Sequence, residues 1–314
     1  MDIKRLLLMI VTFVLGAVLL VFIYLDAAND RARDTARQEA EIGARQYEIR
    51  IQELEVEILE HQKAAEVVQE QGRAVVGFHL SAPEDVAFAV SAGETYGFKP
   101  TVVLDCTASD EELLAVAEAL QAAGHPADVM LTGTPFDEEV LARARMLLSE
   151  LPARDFSRGI SFLLRNADDS EENRALIYGE AFSGYSFYSE NGAAGTLPSG
   201  TPYISYSFMR SADTDMGSVL RKISSGRTSM IVVLDLDSVA QGTLNQETIW
   251  VWLDRIREEN DSGRLEICSV DDAFGALRQL RAQNDAAAAE YESFKAEKES
   301  EIEALREKIA EIKK

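Results

Sequence analysis

An uninterrupted apolar run near the N-terminus constrains this chain more than any other feature. The run LLLMIVTFVLGAVLLVFIYL extends from Leu6 to Leu25 and contains no charged residue. About twenty helical residues, each rising about 1.5 Å, span roughly 30 Å, which is the thickness of the hydrocarbon core of a bilayer. The run therefore predicts a membrane-spanning helix.

Charges on either side of this run predict its orientation. Lys4 and Arg5 precede it, whereas Asp26 and Asp30 follow it. Because basic residues stay on the cytoplasmic side, we expect a cytoplasmic N-terminus and an extracytoplasmic location for the rest of the chain. The alternative is a cleaved signal peptide, but its apolar segment is usually about 7–15 residues long and ends in a small-x-small site. Leu25 and Asp26 do not provide that site.

Composition limits the class of partner. The chain carries 54 acidic and 31 basic residues, a formal charge of −23. This charge argues against nucleic acid, anionic lipid headgroups and anionic wall polymers as direct ligands. Two cysteines, Cys106 and Cys268, are too few for a disulfide-built fold. Their apolar surroundings favour buried thiols, and a single bridge between them is the alternative.

Long helices are predicted on both sides of the central region. After the membrane run, a heptad pattern of apolar or small residues predicts a helical stalk that ends near Gly72. A second apolar stripe, formed by Ile42, Ile49 and Val56, lies on the opposite face of this helix. The heptad positions are Ala40, Ala44, Tyr47, Ile51, Leu54, Ile58, His61, Ala65 and Val68.

The last segment, 272–314, contains no proline and predicts a second long helix. Segments 27–71 and 272–314 are 45 and 43 residues long, so each helix would extend over roughly 65 Å. We therefore expect the two coiled-coil-type helices to pair antiparallel. A parallel homodimer of the N-terminal helix is the alternative.

The central region changes to a pattern of short strands. Apolar runs alternate with amphipathic helical windows, which indicates a parallel sheet covered by helices on both faces. The runs lie at 74–78, 101–105, 128–132, 159–164, 203–208, 229–236 and 264–268.

In order, these segments resemble the polysaccharide deacetylase family of NodB-like (β/α) barrels, which remove acetyl groups from wall glycans. The resemblance covers 73–271 and rests on four motifs in sequence order. These motifs are YGFKPTVVL (96–104), AGHPADVMLTG (123–133), SGYSFYS (183–189) and SMIVVLDL (229–236).

The resemblance also predicts which functional residues are missing. Active members use an Asp-Asp pair after the first strand, for the general base and a metal ligand, and two histidines after the third strand. Here the Asp pair is replaced by His79 and Leu80, and the histidines by Met130 and Thr134. We therefore expect neither a metal nor a cofactor. In addition, Asp235 occupies the position of the family's late histidine. Of the family's Arg-Pro motif, the chain has at most the arginine, Arg165, without its proline.

Histidines and tyrosines supply the remaining candidate residues. We expect His61 in the stalk and His125 at a surface turn, whereas His79 can bond a carboxylate at the barrel mouth. The catalytic candidates are therefore His79, Asp105 and Asp235, with a structural hydrogen-bonded pair as the alternative. Aromatic residues around the Gly-, Ser- and Pro-rich segment 191–200 are candidates for stacking on a glycan, with ordinary core packing as the alternative. They are Tyr185, Tyr188, Tyr203 and Tyr206.

Together these patterns predict a single-pass cell-membrane protein with four parts. Residues 1–26 form the cytoplasmic tip and anchor, 27–72 the stalk, 73–271 the barrel and 272–314 the returning helix. We expect a catalytically inactive deacetylase-like protein that acts as an envelope scaffold, or that binds a protein partner or cell-wall glycan. Self-association through the stalk helices is also consistent with the pattern. The alternative is an active carbohydrate esterase with an atypical site.

Overall fold

The computed structural model describes residues 3–65, 71–80, 82–123, 127–150, 160–189 and 192–313. The chain divides into two compact units. One unit contains residues 1–66 and 286–314, and the other contains residues 67–285. The limits of the four predicted parts differ from these units and remain a prediction.

The second unit alternates strands with helices, as the apolar runs predicted. Its strands are β1 (Gly72–Leu80), β2 (Thr101–Asp105), β3 (Asp128–Thr132), β4 (Ile160–Leu163), β5 (Tyr185–Tyr188), β6 (Ala194–Thr196), β7 (Pro202–Met209), β8 (Ser229–Asp235) and β9 (Leu265–Cys268). Its helices are α2 (Asp85–Tyr96), α3 (Asp110–Ala123), α4 (Glu138–Glu150), α5 (Glu171–Tyr178), α6 (Met216–Gly226), α7 (Leu236–Ala240) and α8 (Gln246–Asp261). The long helices are α1 (Ile3–Ala64) and α9 (Val270–Ile312).

Seven of these strands close into a parallel barrel in the order β1-β2-β3-β4-β5-β7-β8, with β8 returning to β1. Strand β1 pairs with β8 along Arg73–His79, and with β2 only along Gly77–Leu80. Strand β9 occupies the remaining edge of β1, opposite Gly72–Val75, and β6 adds antiparallel to β7. The predicted α/β fold class, a (β/α) barrel with a long apolar N-terminal helix, is confirmed.

Side chains alternate along each strand between two layers of core. Along β1, Phe78 and Leu80 pack outward against the surrounding helices, whereas Val75 packs inside the barrel. Met130 and Ile231 belong to the same interior cluster, and both are fully buried. This alternation means that residues of β1 two positions apart face the same layer, so His79 faces inward with Val75.

The first turns of α9 close the N-terminal end of the barrel. Phe274 is 1% exposed and joins the interior cluster together with Leu277. The amide of Asp271 donates to the buried carboxylate of Asp128 over 3.2 Å, and Asp128 is the first residue of β3. Because α9 fills this end, the carboxyl ends of the strands form the other mouth of the barrel.

A glycine permits the close contact of α9 with the sheet. A Cβ atom on Gly184 would lie 2.4 Å from the Phe274 ring. Since such a distance is far below van der Waals contact, any side chain at this position would displace Phe274.

The first unit is built from α1 and the later part of α9. His61 stacks on Phe294 with ring centroids 4.2 Å apart, and Glu48 forms an ion pair with Lys313 over 3.3 Å. The earlier of the two α1 residues, Glu48, contacts the later α9 residue, as in a pair of antiparallel helices. Leu54 is fully buried between them.

Two surfaces of α1 stay uncovered. Among the described residues, one helix is long and apolar enough to cross a membrane, and its apolar part contains exposed side chains from Ile10 to Leu25. The second stripe is also exposed, with Ile42, Ile49 and Val56 at 59%, 51% and 52%.

Candidate functional site

The three catalytic candidates meet at the carboxyl ends of neighbouring strands. His79 and Asp235 are register partners on β1 and β8, and Asp105 is the last residue of β2. His79 Nδ1 lies 2.8 Å from Asp235 Oδ1, and His79 Nε2 lies 3.7 Å from Asp105 Oδ2. The first distance is a hydrogen bond, whereas the second is too long for one.

Arg165 covers the other nitrogen of His79. It follows β4, and its Nη2 atom lies 2.9 Å from His79 Nε2 and 3.3 Å from Asp105 Oδ2. A guanidinium has donors and no acceptor, so Nε2 must accept this hydrogen bond. This contact therefore places the proton of a neutral imidazole on Nδ1, which donates it to Asp235.

A second arginine completes the network. Arg210 Nε lies 3.4 Å from Asp235 Oδ2, and the Ser238 hydroxyl donates to the same oxygen over 3.0 Å. Both guanidinium groups lie over the ring of Phe208, at 4.8 Å for Arg165 and 4.5 Å for Arg210. Two carboxylates therefore face two guanidinium groups, and their formal charges cancel.

The network shifts the pKa of each titratable member. Burial lowers the pKa of His79, but the Asp105 and Asp235 carboxylates raise it by more, so that the net shift is upward. Burial raises the pKa of Asp105, yet His79, Thr107 and Arg165 together lower it to about 2. For Asp235, burial is likewise outweighed by His79, and the pKa falls. Both carboxylates are therefore charged at neutral pH.

Sequence reasoning missed Arg210, Ser238 and Phe208. Arg210 directly follows β7, and Ser238 lies three residues after the end of β8. A search for polar residues just beyond each predicted strand would have found both, because the carboxyl ends of parallel strands converge. Phe208 lies within an apolar run, where no sequence signal separates it from core residues.

The residues at the family's metal positions do not fit a metal ion. Leu80 is 3% exposed and packs in the outer core, while Met130 is fully buried in the interior cluster. Thr134 is exposed and offers a neutral hydroxyl. Within the residues that the structure describes, no three His, Cys, Asp or Glu side chains are arranged to hold a metal. Hard divalent ions prefer carboxylate and imidazole ligands, which these positions lack.

The four tyrosine candidates divide into two pairs. Tyr185 and Tyr206 are 2% and 3% exposed, and burial raises the pKa of each hydroxyl to about 12. A sugar ring cannot stack on a covered face, so the prediction is corrected for these two residues. Tyr188 is 37% exposed and Tyr203 is half-buried, so these two remain candidates.

The structure also describes one of the other two histidines and both cysteines. His61 belongs to α1, and His125 lies outside the described residues. Cys106 and Cys268 are both free thiols. Burial raises the pKa of each to about 12, so neither is a reactive thiolate.

Comparison with known proteins gives similarity at the level of structure. No family model matches the chain, and no curated protein matches it. A solved structure of the peptidoglycan N-acetylglucosamine deacetylase Bc1960 is 10% identical, with a TM-score of 0.43, and the match covers 66% of this chain and 90% of that one. The Xyl-CE4 domain of a xylanase from the hindgut metagenome of Trinervitermes trinervoides is 10% identical, with a TM-score of 0.42, and the match covers 66% of this chain and 91% of that one.

Peptidoglycan deacetylase PdaC from Bacillus subtilis is also 10% identical, with a TM-score of 0.39, and the match covers 71% of this chain and 98% of that one. The structural neighbours of this chain therefore include two peptidoglycan deacetylases and the CE4 domain of a xylanase.

Proposed function

We propose that this protein is a membrane-anchored, extracytoplasmic barrel of the deacetylase type that has no hydrolytic activity and serves as an envelope scaffold. The observation that carries this proposal is the contact of Arg165 with His79 Nε2 over 2.9 Å. Both ring nitrogens of His79 are thereby engaged, one by Asp235 and one by Arg165.

A general base needs a free lone pair within reach of the attacking water. The Nε2 lone pair of His79 is instead directed at a guanidinium, whose positive charge also disfavours an approaching metal cation. Since Asp105 and Asp235 are compensated by Arg165 and Arg210, these two carboxylates have no surplus negative charge with which to hold such a cation. The network is therefore suited to stabilising the barrel.

The first unit supplies the surface for a scaffold. Ile42, Ile49 and Val56 lie seven residues apart and remain exposed on α1. Exposed apolar residues at this spacing are typical of a helix that binds another helix. We propose that this stripe binds a protein partner or a second copy of the chain next to the membrane.

The second candidate function is an active carbohydrate esterase. It is favoured by the buried hydrogen bond of His79 Nδ1 to Asp235, because a carboxylate in this position orients a catalytic imidazole. Such an enzyme would need Arg165 to move away from Nε2 when substrate binds.

Metal analysis and acetate release distinguish the two functions. The full chain, purified in detergent and dialysed, should contain no stoichiometric Zn, Co or Mn. It should also release no acetate from acetylated chitooligosaccharide or peptidoglycan. Acetate release that is lost in His79→Ala and kept in the matched His61→Ala control would overturn the proposal and favour the esterase.

Topology and partner binding have separate tests. Protease added from outside should digest the barrel while an N-terminal tag stays protected, whereas a mature N-terminus near Asn29 would contradict the anchor. A photo-cross-linking residue at Ile49 should give a specific product in cells, and the same residue at the exposed Glu41 should give less. Equal cross-linking at both positions would argue against partner binding through the stripe of Ile42, Ile49 and Val56.

A further inference from the structure

The side of α1 that carries the stripe of Ile42, Ile49 and Val56 is open over three heptads. With Ile42 at heptad position a, every residue at positions a, d, e and g from Glu41 to Glu60 is exposed. Every residue at positions b, c and f over this length is half-buried or buried. Helix α9 lies on that covered side, where Ile312 comes within 3.8 Å of a Cβ atom built on Gly43. We call the exposed a, d, e and g positions of this length the open face.

The centre of the open face is mainly apolar. The stripe fills position a, and Leu59, which is 56% exposed, occupies one of the three d positions. The other two d positions are Arg45 and Gln52. Apolar residues at position a with polar residues at e and g are typical of one strand of a coiled coil, and a polar residue at a central position fixes the register and the choice of partner. The open face therefore fits an α-helix that runs alongside α1.

The edges of the open face are acidic. Five of its six e and g positions carry glutamate, and these are Glu41, Glu48, Glu53, Glu55 and Glu60. Glu48 and Glu55 form ion pairs with Lys313 and Arg306 of α9, over 3.3 and 3.7 Å, and a third glutamate pairs with a neighbouring arginine of α1. Because the glutamates in these pairs are more than half exposed, water screens the pairs and the carboxylates stay available to a partner.

A second copy of the chain fits this face poorly. Two copies that carry the proposed anchor would leave the membrane in the same direction and at the same height, so their α1 helices would pair in parallel and in register. In a parallel pair, position g faces position e of the next heptad on the other helix. Glu48 would then face Glu53 of the second copy, and Glu55 would face Glu60. At the centre, Arg45 would meet Arg45. Like charges would therefore oppose each other at both edges and in the middle.

The length and height of the open face restrict the occupant further. At about 1.5 Å per residue, Ile42 lies about 25 Å along the helix from Leu25, the end of the apolar run, and Leu59 lies about 50 Å from it. Four apolar residues bury too little surface to hold two freely diffusing proteins together tightly. Confinement to one membrane raises the effective concentration of two stalks and compensates for a small interface.

We propose that the open face binds a parallel α-helix of a different protein that is anchored in the same membrane and carries apolar residues at positions a and d and lysine or arginine at positions e and g. Basic residues at these edges would face the five glutamates of α1. This inference rests on the proposed anchored scaffold and deepens it, because it states the chemistry of the partner and excludes a second copy.

The test is a titration of the full chain, held in phosphatidylcholine nanodiscs, with two synthetic peptides of four heptads. Both peptides have isoleucine at a and leucine at d, with one glutamate at the d position that faces Arg45. One peptide carries lysine at every e and g position, and the other carries glutamate there. Fluorescence anisotropy of the labelled peptides measures affinity, with empty nanodiscs as the blank. We expect saturable binding of the lysine peptide, at least about tenfold tighter than that of the glutamate peptide.

Charge reversal on the chain separates recognition from the general attraction of an acidic protein for a basic peptide. Glu53→Lys combined with Glu60→Lys should weaken binding of the lysine peptide about tenfold or more. The matched control is Glu303→Lys combined with Glu307→Lys, which changes the net charge equally at exposed positions of α9. This control should weaken binding by less than about twofold, because distant exposed charges are screened.

Four results would overturn the inference. They are no saturable binding of the lysine peptide, equal affinities for the two peptides, equal weakening by the two double variants, and an efficient disulfide between two Ile49→Cys chains in one vesicle.

These outcomes are distinguishable from those that test the proposed function. Acetate release that depends on His79 would overturn the absence of catalysis and leave the open face assigned to a basic helix. Cross-linking of the stripe to a second copy alone would overturn this inference and leave the scaffold standing.

Discussion

Replacing Asp235 should destabilise the barrel strongly, because the account gives this carboxylate a structural role. Its side chain is only 7% exposed. It accepts hydrogen bonds from His79 over 2.8 Å and from Ser238 over 3.0 Å, and it forms an ion pair with Arg210. Asp235→Ala removes all three interactions and leaves the His79 N–H buried without an acceptor.

The size of the effect follows from known costs. Removing one partner of a buried charged network costs about 3–5 kcal/mol, because the remaining groups lose their compensation. For a unit of the size of residues 67–285, each kcal/mol lowers the melting temperature by roughly 2–4 °C. We therefore expect Asp235→Ala to lower the melting temperature by roughly 6–20 °C. Asp235→Asn, which keeps an acceptor for His79, should lower it less.

Tryptophan fluorescence isolates the melting of the barrel. The chain has two tryptophans, Trp250 and Trp252, and both lie on α8 in the barrel unit. Asp237→Ala is the matched control, since Asp237 lies on the neighbouring α7 and bonds the exposed Gln241 over 2.7 Å. This control should shift the melting temperature by no more than about 1–2 °C, since surface substitutions usually change stability by less than about 0.5 kcal/mol.

An unchanged or higher melting temperature in Asp235→Ala would show that this carboxylate does not stabilise the barrel. Catalytic carboxylates are commonly held at a cost to stability, so their removal can stabilise an enzyme. That result would indicate a functional network and would favour the esterase.

Two further predictions concern the N-terminal end of the barrel. Phe274→Ala should lower the free energy of unfolding by about 3–5 kcal/mol, because it opens a cavity among interior residues. The control Gln279→Ala, on the exposed face of α9, should lower it by less than about 0.5 kcal/mol. Equal melting temperatures of the two variants would contradict the closure of the barrel by α9. Burial and the nearby Asp128 charge raise the pKa of Asp271 to about 6 from 3.8. The folded state therefore holds this proton more tightly, and the resulting stability is present below pH 3.8 and is lost as the pH rises through 6. Asp271→Asn should therefore raise the melting temperature at a pH of about 7.5 and leave it unchanged near pH 3, and a lower melting temperature at the higher pH would contradict the shift.

Much of the barrel could be predicted from its apolar runs, because buried parallel strands need nearly continuous apolar sequence. The pairing of strands could not be predicted in the same way. The run at 264–268 became β9, which pairs with only the first part of β1. The strand that brings the barrel to seven is instead β5, a short element of four residues. Local composition does not show which strand completes a closed sheet, since pairing depends on contacts distant in sequence.

The meeting of His79, Asp105 and Asp235 could be predicted for a geometric reason. All three lie at the carboxyl ends of parallel strands, and these ends converge at one mouth of the barrel. The position of Arg165 over Nε2 depends on the conformation of a long side chain, which sequence does not determine. That contact nevertheless decides between a free and an engaged imidazole.

The tyrosines show the limit of alternation. Alternation places neighbouring residues of a strand on opposite faces, but it does not say which faces are covered. Tyr206 lies in the interior cluster, and Tyr185 is covered in the outer layer, where its hydroxyl donates to the carbonyl of Ile177 on α5. Only the packed structure separates these from the exposed Tyr188.

The protonation and hydrogen bonding of the His79 ring distinguish an engaged imidazole from a free one. The chain has three histidines, so nitrogen NMR of the full chain labelled with ¹⁵N-histidine resolves His79 after assignment with His79→Gln. Above the pKa of His79, the account predicts a neutral ring protonated at Nδ1, with Nε2 accepting a hydrogen bond that is lost in Arg165→Gln. It also predicts that excess Zn leaves both ring resonances unchanged. A ring protonated at Nε2, or a change in the Nε2 shift that saturates with one equivalent of Zn, would contradict the account.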